Sequence, residues 1–169
     1  MNTQRVYLLI GPPGSGKSTH GKKMYEKGGR IVRVCPDEFR AILGWGEGDQ
    51  SVSAKAFEMT RNALKDSLDN GMDVIVDATN MYRKSRKDFI NIARGRGATT
   101  VALVFECDKQ TLIERNIKRG KEGGRNVPEH VIDSMLAKYE RPTVAEFDEI
   151  VIVDQLPSPV GHISNCRRV

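Results

Sequence analysis

Cysteine is scarce in this 169-residue chain. Cys35, Cys107 and Cys166 are odd in number, far apart and without a C-x-x-C pair, which offers neither a disulfide framework nor a zinc site. Histidine is equally thin. His20, His130 and His162 are scattered, so surface or helix-packing roles are expected of them, not metal ligation. The longest apolar runs, at 6–10 and 101–105, fall far short of a bilayer span, and no membrane partner is expected. The opening Met1-Asn2-Thr3-Gln4-Arg5 lacks a signal-peptide layout, so a cytoplasmic location is expected. Internal repeats and linkers are missing as well.

What is present is the make-up of a single globular domain. Hydrophobic residues at 38% and charged residues at 29% supply a moderate core and a solvated surface, which excludes coiled-coil, collagen-like and disordered classes. Lys and Arg (27) exceed Asp and Glu (22), giving a net charge of +5. That excess alone does not separate a nucleic-acid partner from a phosphorylated small molecule or simple solubility.

Short apolar runs alternate with longer helical patterns. Strands are predicted at 6–10, 30–34, 73–77, 99–105 and 150–153. Helices are predicted at 17–27, 36–43, 53–70, 84–94, 110–119 and 128–139, with Pro128 in the first turn of the last. Gly44, Gly46 and Gly48 around Trp45 mark a loop, and so do Gly120, Gly123 and Gly124 among charges. The alternation implies an α/β protein of three layers, a five-stranded, mostly parallel sheet with helices on both faces. One domain over 1–155 is expected, followed by a C-terminal tail at 156–169.

Directly after the first strand, Gly11-Pro12-Pro13-Gly14-Ser15-Gly16-Lys17-Ser18 matches G-x-x-x-x-G-K-S/T in full, and Thr19 continues into the helix. Glycines at this spacing let the backbone curl so that successive N–H groups face phosphate oxygens. The helix that follows adds its positive end, Lys17 reaches the β- and γ-phosphates, and the Ser18 hydroxyl suits magnesium. ATP and Mg2+ are the ligands this loop implies.

Ligands in such sheets sit beyond the C-terminal ends of the strands. Two further strands end there with carboxylates. Asp37 follows the second strand, with Arg40 one helical turn on, and this pairing suits a proton acceptor beside an arginine that holds a substrate phosphate. A first-turn acid with a solvated partner is the plainer alternative. Asp77 ends the third strand ahead of Ala78-Thr79-Asn80, where it would orient magnesium or simply cap the turn. Arg115 and Arg119 lie four apart on one helix, with Arg125 in the loop beyond. They suit a lid over about 115–127 that closes on a triphosphate, the alternative being a solvated basic helix. A basic stretch of Arg83, Lys84, Arg86, Lys87, Arg94 and Arg96 would either track a nucleic-acid backbone or form an ordinary exposed face.

Taken in order, the phosphate loop, Asp37-Glu38-Phe39-Arg40, Asp77-Ala78-Thr79-Asn80, Arg115-Asn116-Ile117-Lys118-Arg119-Gly120 and Val127-Pro128 resemble the kinase domain of phage-type polynucleotide kinases, from about residue 6 to 142. The resemblance implies a P-loop kinase that moves the γ-phosphate of ATP to a 5′-hydroxyl of DNA or RNA, in DNA modification or repair. It implies Gly11 to Thr19 on ATP with Ser18 on magnesium, Asp37 as general base, and Arg40 on the acceptor phosphate. Arg115 and Arg119 would belong to the lid, Arg119 acting on the donor phosphates and contributing to catalysis with Lys17. Asp77 and Asn80 would lie on the acceptor side, Asp77 also serving the metal. Two departures stand out: Ala78 occupies the place of the family's acid before Thr-Asn, and no D-x-D-type phosphatase site follows Arg141. Two other acceptors therefore stay open, the hydroxymethyl group of 5-hydroxymethyluracil in phage DNA and a sugar, nucleoside or other metabolite. For a phage-encoded protein the cytoplasm would be the host's. A non-kinase ATP-driven module would need neither Asp37 nor Arg40.

Overall fold

The computed structural model describes residues 3–153 and 166–168. The strands are β1 (Arg5–Ile10), β2 (Ile31–Val34), β3 (Asp73–Val76), β4 (Thr99–Phe105), β5 (Glu149–Val153) and β6 (Cys166–Arg168), in the order β2-β3-β1-β4-β5-β6. The first five are parallel, as the continuous apolar runs imply for strands covered on both faces. The sixth pairs antiparallel with β5, Val151 opposite Arg168. The segment expected as a tail thus returns an edge strand to the sheet, while 154–165 lies outside the described residues.

Helices α1 (Lys17–Glu26), α2 (Pro36–Leu43), α3 (Ser53–Asp69), α4 (Arg83–Arg94), α5 (Lys109–Lys121) and α6 (Glu129–Ala137) fall close to their predicted spans. A 3₁₀ turn (Gln50–Val52) leads into α3. Pro128 is the N-cap of α6 and not part of its first turn. None of the helices among the described residues is long and apolar enough to cross a membrane.

The period-2 alternation of β1 divides the core. Val6, Leu8 and Ile10 join Val74, Val76, Leu64, Leu68, Phe89 and Ile90 on the α3–α4 face, while Leu9 packs with Ile75, Val101, Leu103 and Phe105 on the other. Burial of such side chains contributes roughly 1.5–3 kcal/mol each. Gly21 inside α1 has a reason: a Cβ there would stand 2.8 Å from Leu9 Cδ1, so glycine lets α1 settle against the sheet. His20 packs edge-on against Phe105, ring centroids 5.2 Å apart, and burial beside Lys23 and Lys27 lowers its pKa. This is the packing role expected of a scattered histidine.

In the basic stretch at 83–96, Arg86 is buried while Arg83, Lys84, Lys87, Arg94 and Arg96 are exposed. Arg86 is fully buried, pairs with both carboxylate oxygens of Glu146 at 3.0 Å, and donates to the carbonyls of Asn80 and Glu140. Arg94 donates to the Glu146 carbonyl and Arg96 pairs with Asp69. The other five form an exposed basic face, which fits both readings the sequence leaves open. Arg86 instead fastens the segment after α6 to the turn after β3.

Candidate active site

Because β3 lies next to β1 and β2 next to β3, the phosphate loop, Asp37 and Asp77 all emerge at one end of the sheet. Gly14 and Gly16 take left-handed φ values of 83° and 80°, which an L side chain rarely adopts. A Cβ on Gly14 would also meet the Leu112 carbonyl oxygen at 2.7 Å, so α5 presses directly on the loop. The loop is laced by Gly11 N–H donating to the Thr79 carbonyl and Ser15 N–H to the Pro12 carbonyl. Gly11, Pro12, Pro13 and Ser15 are buried, and the Ser15 hydroxyl is, among the described residues, a buried polar group without a hydrogen-bond partner.

Lys17 is 9% exposed. Burial pulls its pKa down, Asp77 and Asp37 oppose that, and Arg119 adds to it. Ser18 Oγ donates to Asp77 Oδ1 at 2.9 Å. The other oxygen of Asp77 accepts from Arg33 Nε at 2.9 Å and Nη2 at 2.5 Å. Arg33 reaches Glu38 as well, and these two carboxylates hold its pKa above the ordinary arginine value despite burial. Burial beside Asp77 pushes the neighbouring Cys35 thiol up to about 11. A hydroxyl beside a carboxylate is an oxygen-only set that fits a hard divalent cation. Groups of three or more His, Cys, Asp and Glu side chains able to hold a metal do not occur among the described residues. Ser18 and Asp77 are the residues that could hold such a cation.

Two cavities adjoin here. One, of about 340 Å³, is lined by Gly14, Gly16, Lys17, Ser18, Thr19, Lys22, Arg115 and Arg119 with Asp37. The other, of about 200 Å³, is lined by Pro13, Asp37, Arg40, Phe57, Asp77, Thr79, Arg125, Val127, Val131 and Met135. Lys17, Ser18, Cys35, Asp37 and Arg119 border both. Asp37, in the first turn of α2 and 39% exposed, stands at the junction and pairs with Arg40 and, at 3.6 Å, with Arg125.

Arg40 borders the second cavity, and its guanidinium is already engaged within the protein. It is 5% exposed and donates from Nε to the Glu47 carbonyl, from Nη1 to Ser53 Oγ and from Nη2 to Asp37. It therefore braces Asp37 against the loop after α2. Asn80 is not brought to either cavity: it is 1% exposed, at φ 47°, and its amide donates to the Leu9 carbonyl. Ala78 and Thr79 border the second cavity in its place.

The expected lid has a built frame. Buried Asn116 donates from Nδ2 to the Val127 carbonyl at 2.6 Å and accepts from Val127 N–H at 3.1 Å. Arg119 Nε donates to the Arg125 carbonyl, and Arg115 leans to the Gly14 carbonyl at 3.5 Å. Sequence reasoning passed over Arg33 and gave Asn116 and Arg86, though both stand in stretches it singles out, no bracing role. Their partners are remote in sequence, and the only local signal was Asn116 within the R-N-x-x-R-G motif. Asn116→Ala leaves the Val127 backbone groups unpaired, at about 1–3 kcal/mol, which predicts a fall of several degrees in Tm. The same change loosens Arg119 and Arg125, so kcat should fall as well. A thermal melt that superimposes on the wild type would remove Asn116 from this role.

A family model described as AAA domain matches residues 6–142. Among curated proteins, the L-seryl-tRNA(Sec) kinase of Methanococcus maripaludis is 31% identical over 81% of this chain and 53% of its own length. The adenylate kinase of Pseudarthrobacter chlorophenolicus is 29% identical over 90% of this chain and 93% of its own. Among solved structures, a chain of the Pnkp1/Rnl/Hen1 RNA repair complex superimposes with a TM-score of 0.73 at 26% identity, over 82% of this chain and 44% of that one. The chain thus spans about half of the tRNA kinase and less than half of the RNA-repair chain.

Proposed function

We propose, from the premise that the chain belongs to the AAA domain family and has a P-loop kinase fold, that it transfers the γ-phosphate of ATP to a hydroxyl on nucleic acid, a 5′-hydroxyl end of RNA first among them. The observation that carries this reading is the placement of Asp37 and Lys17 at the junction of two cavities. The larger is cationic and glycine-lined, as a triphosphate requires. The smaller adds Phe57, Val131 and Met135 to Arg125, as a nucleoside with a flanking phosphate requires. Two relatives whose names concern RNA support the acceptor class.

In this reading the loop N–H groups and Lys17 hold the β- and γ-phosphates in place. Asp37 accepts the proton of the attacking hydroxyl as its oxygen bonds the γ-phosphorus. The bond from that phosphorus to the β-bridging oxygen breaks, and ADP leaves. Arg115 and Arg119 meet the charge on the donor from the α5 side and exclude water. Arg40 keeps the Asp37 carboxylate oriented. Ser18 and Asp77 would hold Mg2+, which when bound neutralises charge on the phosphate oxygens.

The test supplies labelled ATP with a 5′-hydroxyl RNA oligonucleotide, a DNA oligonucleotide, hydroxymethyluracil-containing duplex and a panel of nucleosides and nucleoside monophosphates. Label on the oligonucleotide 5′ end is the expected result. Label confined to the modified duplex would move the hydroxyl to the base. Label on monophosphates alone would shift the acceptor to a small molecule, the reading that the end-to-end match to an adenylate kinase favours.

A further inference from the structure

Phe57 lines the smaller cavity and also a separate groove of about 420 Å³ between α3 and the start of α4. Three aromatic residues border the groove, Phe57 on α3, Tyr82 at the N-cap of α4 and the buried Phe89 within α4. Arg61, one turn along α3 from Phe57, and exposed Lys84 add positive charge to it. Asp88 opposes them and pairs loosely with Arg61, at 3.7 Å. Arg83 stands beside Lys84 with 61% of its side chain exposed. Unlike Arg86, Arg94 and Arg96, these cations are not committed to tight internal pairs. Rings interleaved with cations in a shallow trough are the chemistry that single strands recognise, because every base offers a π-face and every linkage a negative charge.

We infer that this groove is the track for the acceptor strand: a single strand of RNA whose 5′ end lies in the cavity beside Asp37 and whose following nucleotides pass over Phe57 to stack near Tyr82, with backbone phosphates toward Arg61 and Lys84. The inference rests on the proposed acceptor class and adds to it that the protein reads several nucleotides beyond the reacting end. Phe57 joins the two spaces, since one ring borders both. The strand is recognised by stacking and charge, so binding is tolerant of base sequence and weakened by salt.

The test compares a 5′-hydroxyl RNA of about ten nucleotides with a nucleoside 3′-phosphate, on wild type and on Tyr82→Ser, Lys84→Gln and the double variant. Neither side chain borders the donor or acceptor cavity. The expected result for the double variant is a rise of about tenfold in KM for the oligonucleotide with kcat kept, and KM for the nucleoside 3′-phosphate within about twofold of wild type. Lys84→Gln should also flatten the salt dependence of oligonucleotide KM by about one unit of slope. An unchanged oligonucleotide KM, or an equal rise on both acceptors, overturns the track while the kinase reading stands. A wild-type enzyme that labels the monophosphates and no oligonucleotide overturns both. A change in the protein's elution volume in the double variant would assign the groove to a second copy of the chain and likewise overturn the track.

Discussion

Asp37→Asn lowers kcat by about a hundredfold or more while ATP binding is retained, which is the range a positioned general base contributes. The substitution keeps the shape of the side chain and an oxygen that can still accept from Arg40, so the brace running from Arg40 to the Glu47 carbonyl and Ser53 persists. What it removes is the ability to take a proton. Asp37→Ala would be a poorer probe, because it strips the carboxylate from an arginine that is 5% exposed and so adds a folding cost. The measurement is single-turnover transfer under saturating ATP, alongside nucleotide affinity by calorimetry. A loss of nucleotide affinity matching the loss of rate would instead place Asp37 with the metal or with loop structure.

Lys17→Ala is expected to abolish transfer in a protein that still folds. Lys17 borders both cavities and is flanked by Asp77 and Asp37, whose charges help keep the buried ammonium protonated. In the proposed reaction that ammonium meets charge on the transferring group in a water-poor site, where one such contact is worth several orders of magnitude in rate. Its neighbours are polar, so truncation leaves no large apolar void. Circular dichroism and Tm should stay close to wild type. Retention of more than about a tenth of the wild-type rate would overturn the phosphate-loop assignment.

The fold was legible because its strands are covered on both faces and so read as short apolar runs, and because Gly, Pro and Asp punctuate them at the helix ends. The phosphate loop was legible for a related reason: its glycines answer to local φ values and its lysine to local charge. Asp37 and Asp77 could be placed from their position after a strand alone. The illegible parts are those fixed by a partner far along the chain. Arg33 reads as a surface charge on an edge strand until Asp77 closes on it. Arg86 is indistinguishable from Lys84 or Lys87 in sequence and becomes buried only through Glu146. Asn80 looked like a side chain at a strand end reaching for substrate, yet its left-handed backbone turns the amide back to Leu9. Strand β6 is three residues long, two of them arginine, which gives periodicity nothing to detect.

The strand order also dictates when the site comes into being as the chain folds. β1 precedes the loop that cradles phosphate, but its lateral partners arrive late: Val6 pairs with Val74, and Arg5 with Thr99. Between them the chain must first close over α1, β2, α2 and α3, an entropic cost that non-local pairing recovers only once the sheet zips. During synthesis, therefore, the glycine loop is made before Phe105 of β4 and Leu112 of α5, which press on it. A ligand that binds only the finished loop adds its stability to the folded protein and none to the half-made chain.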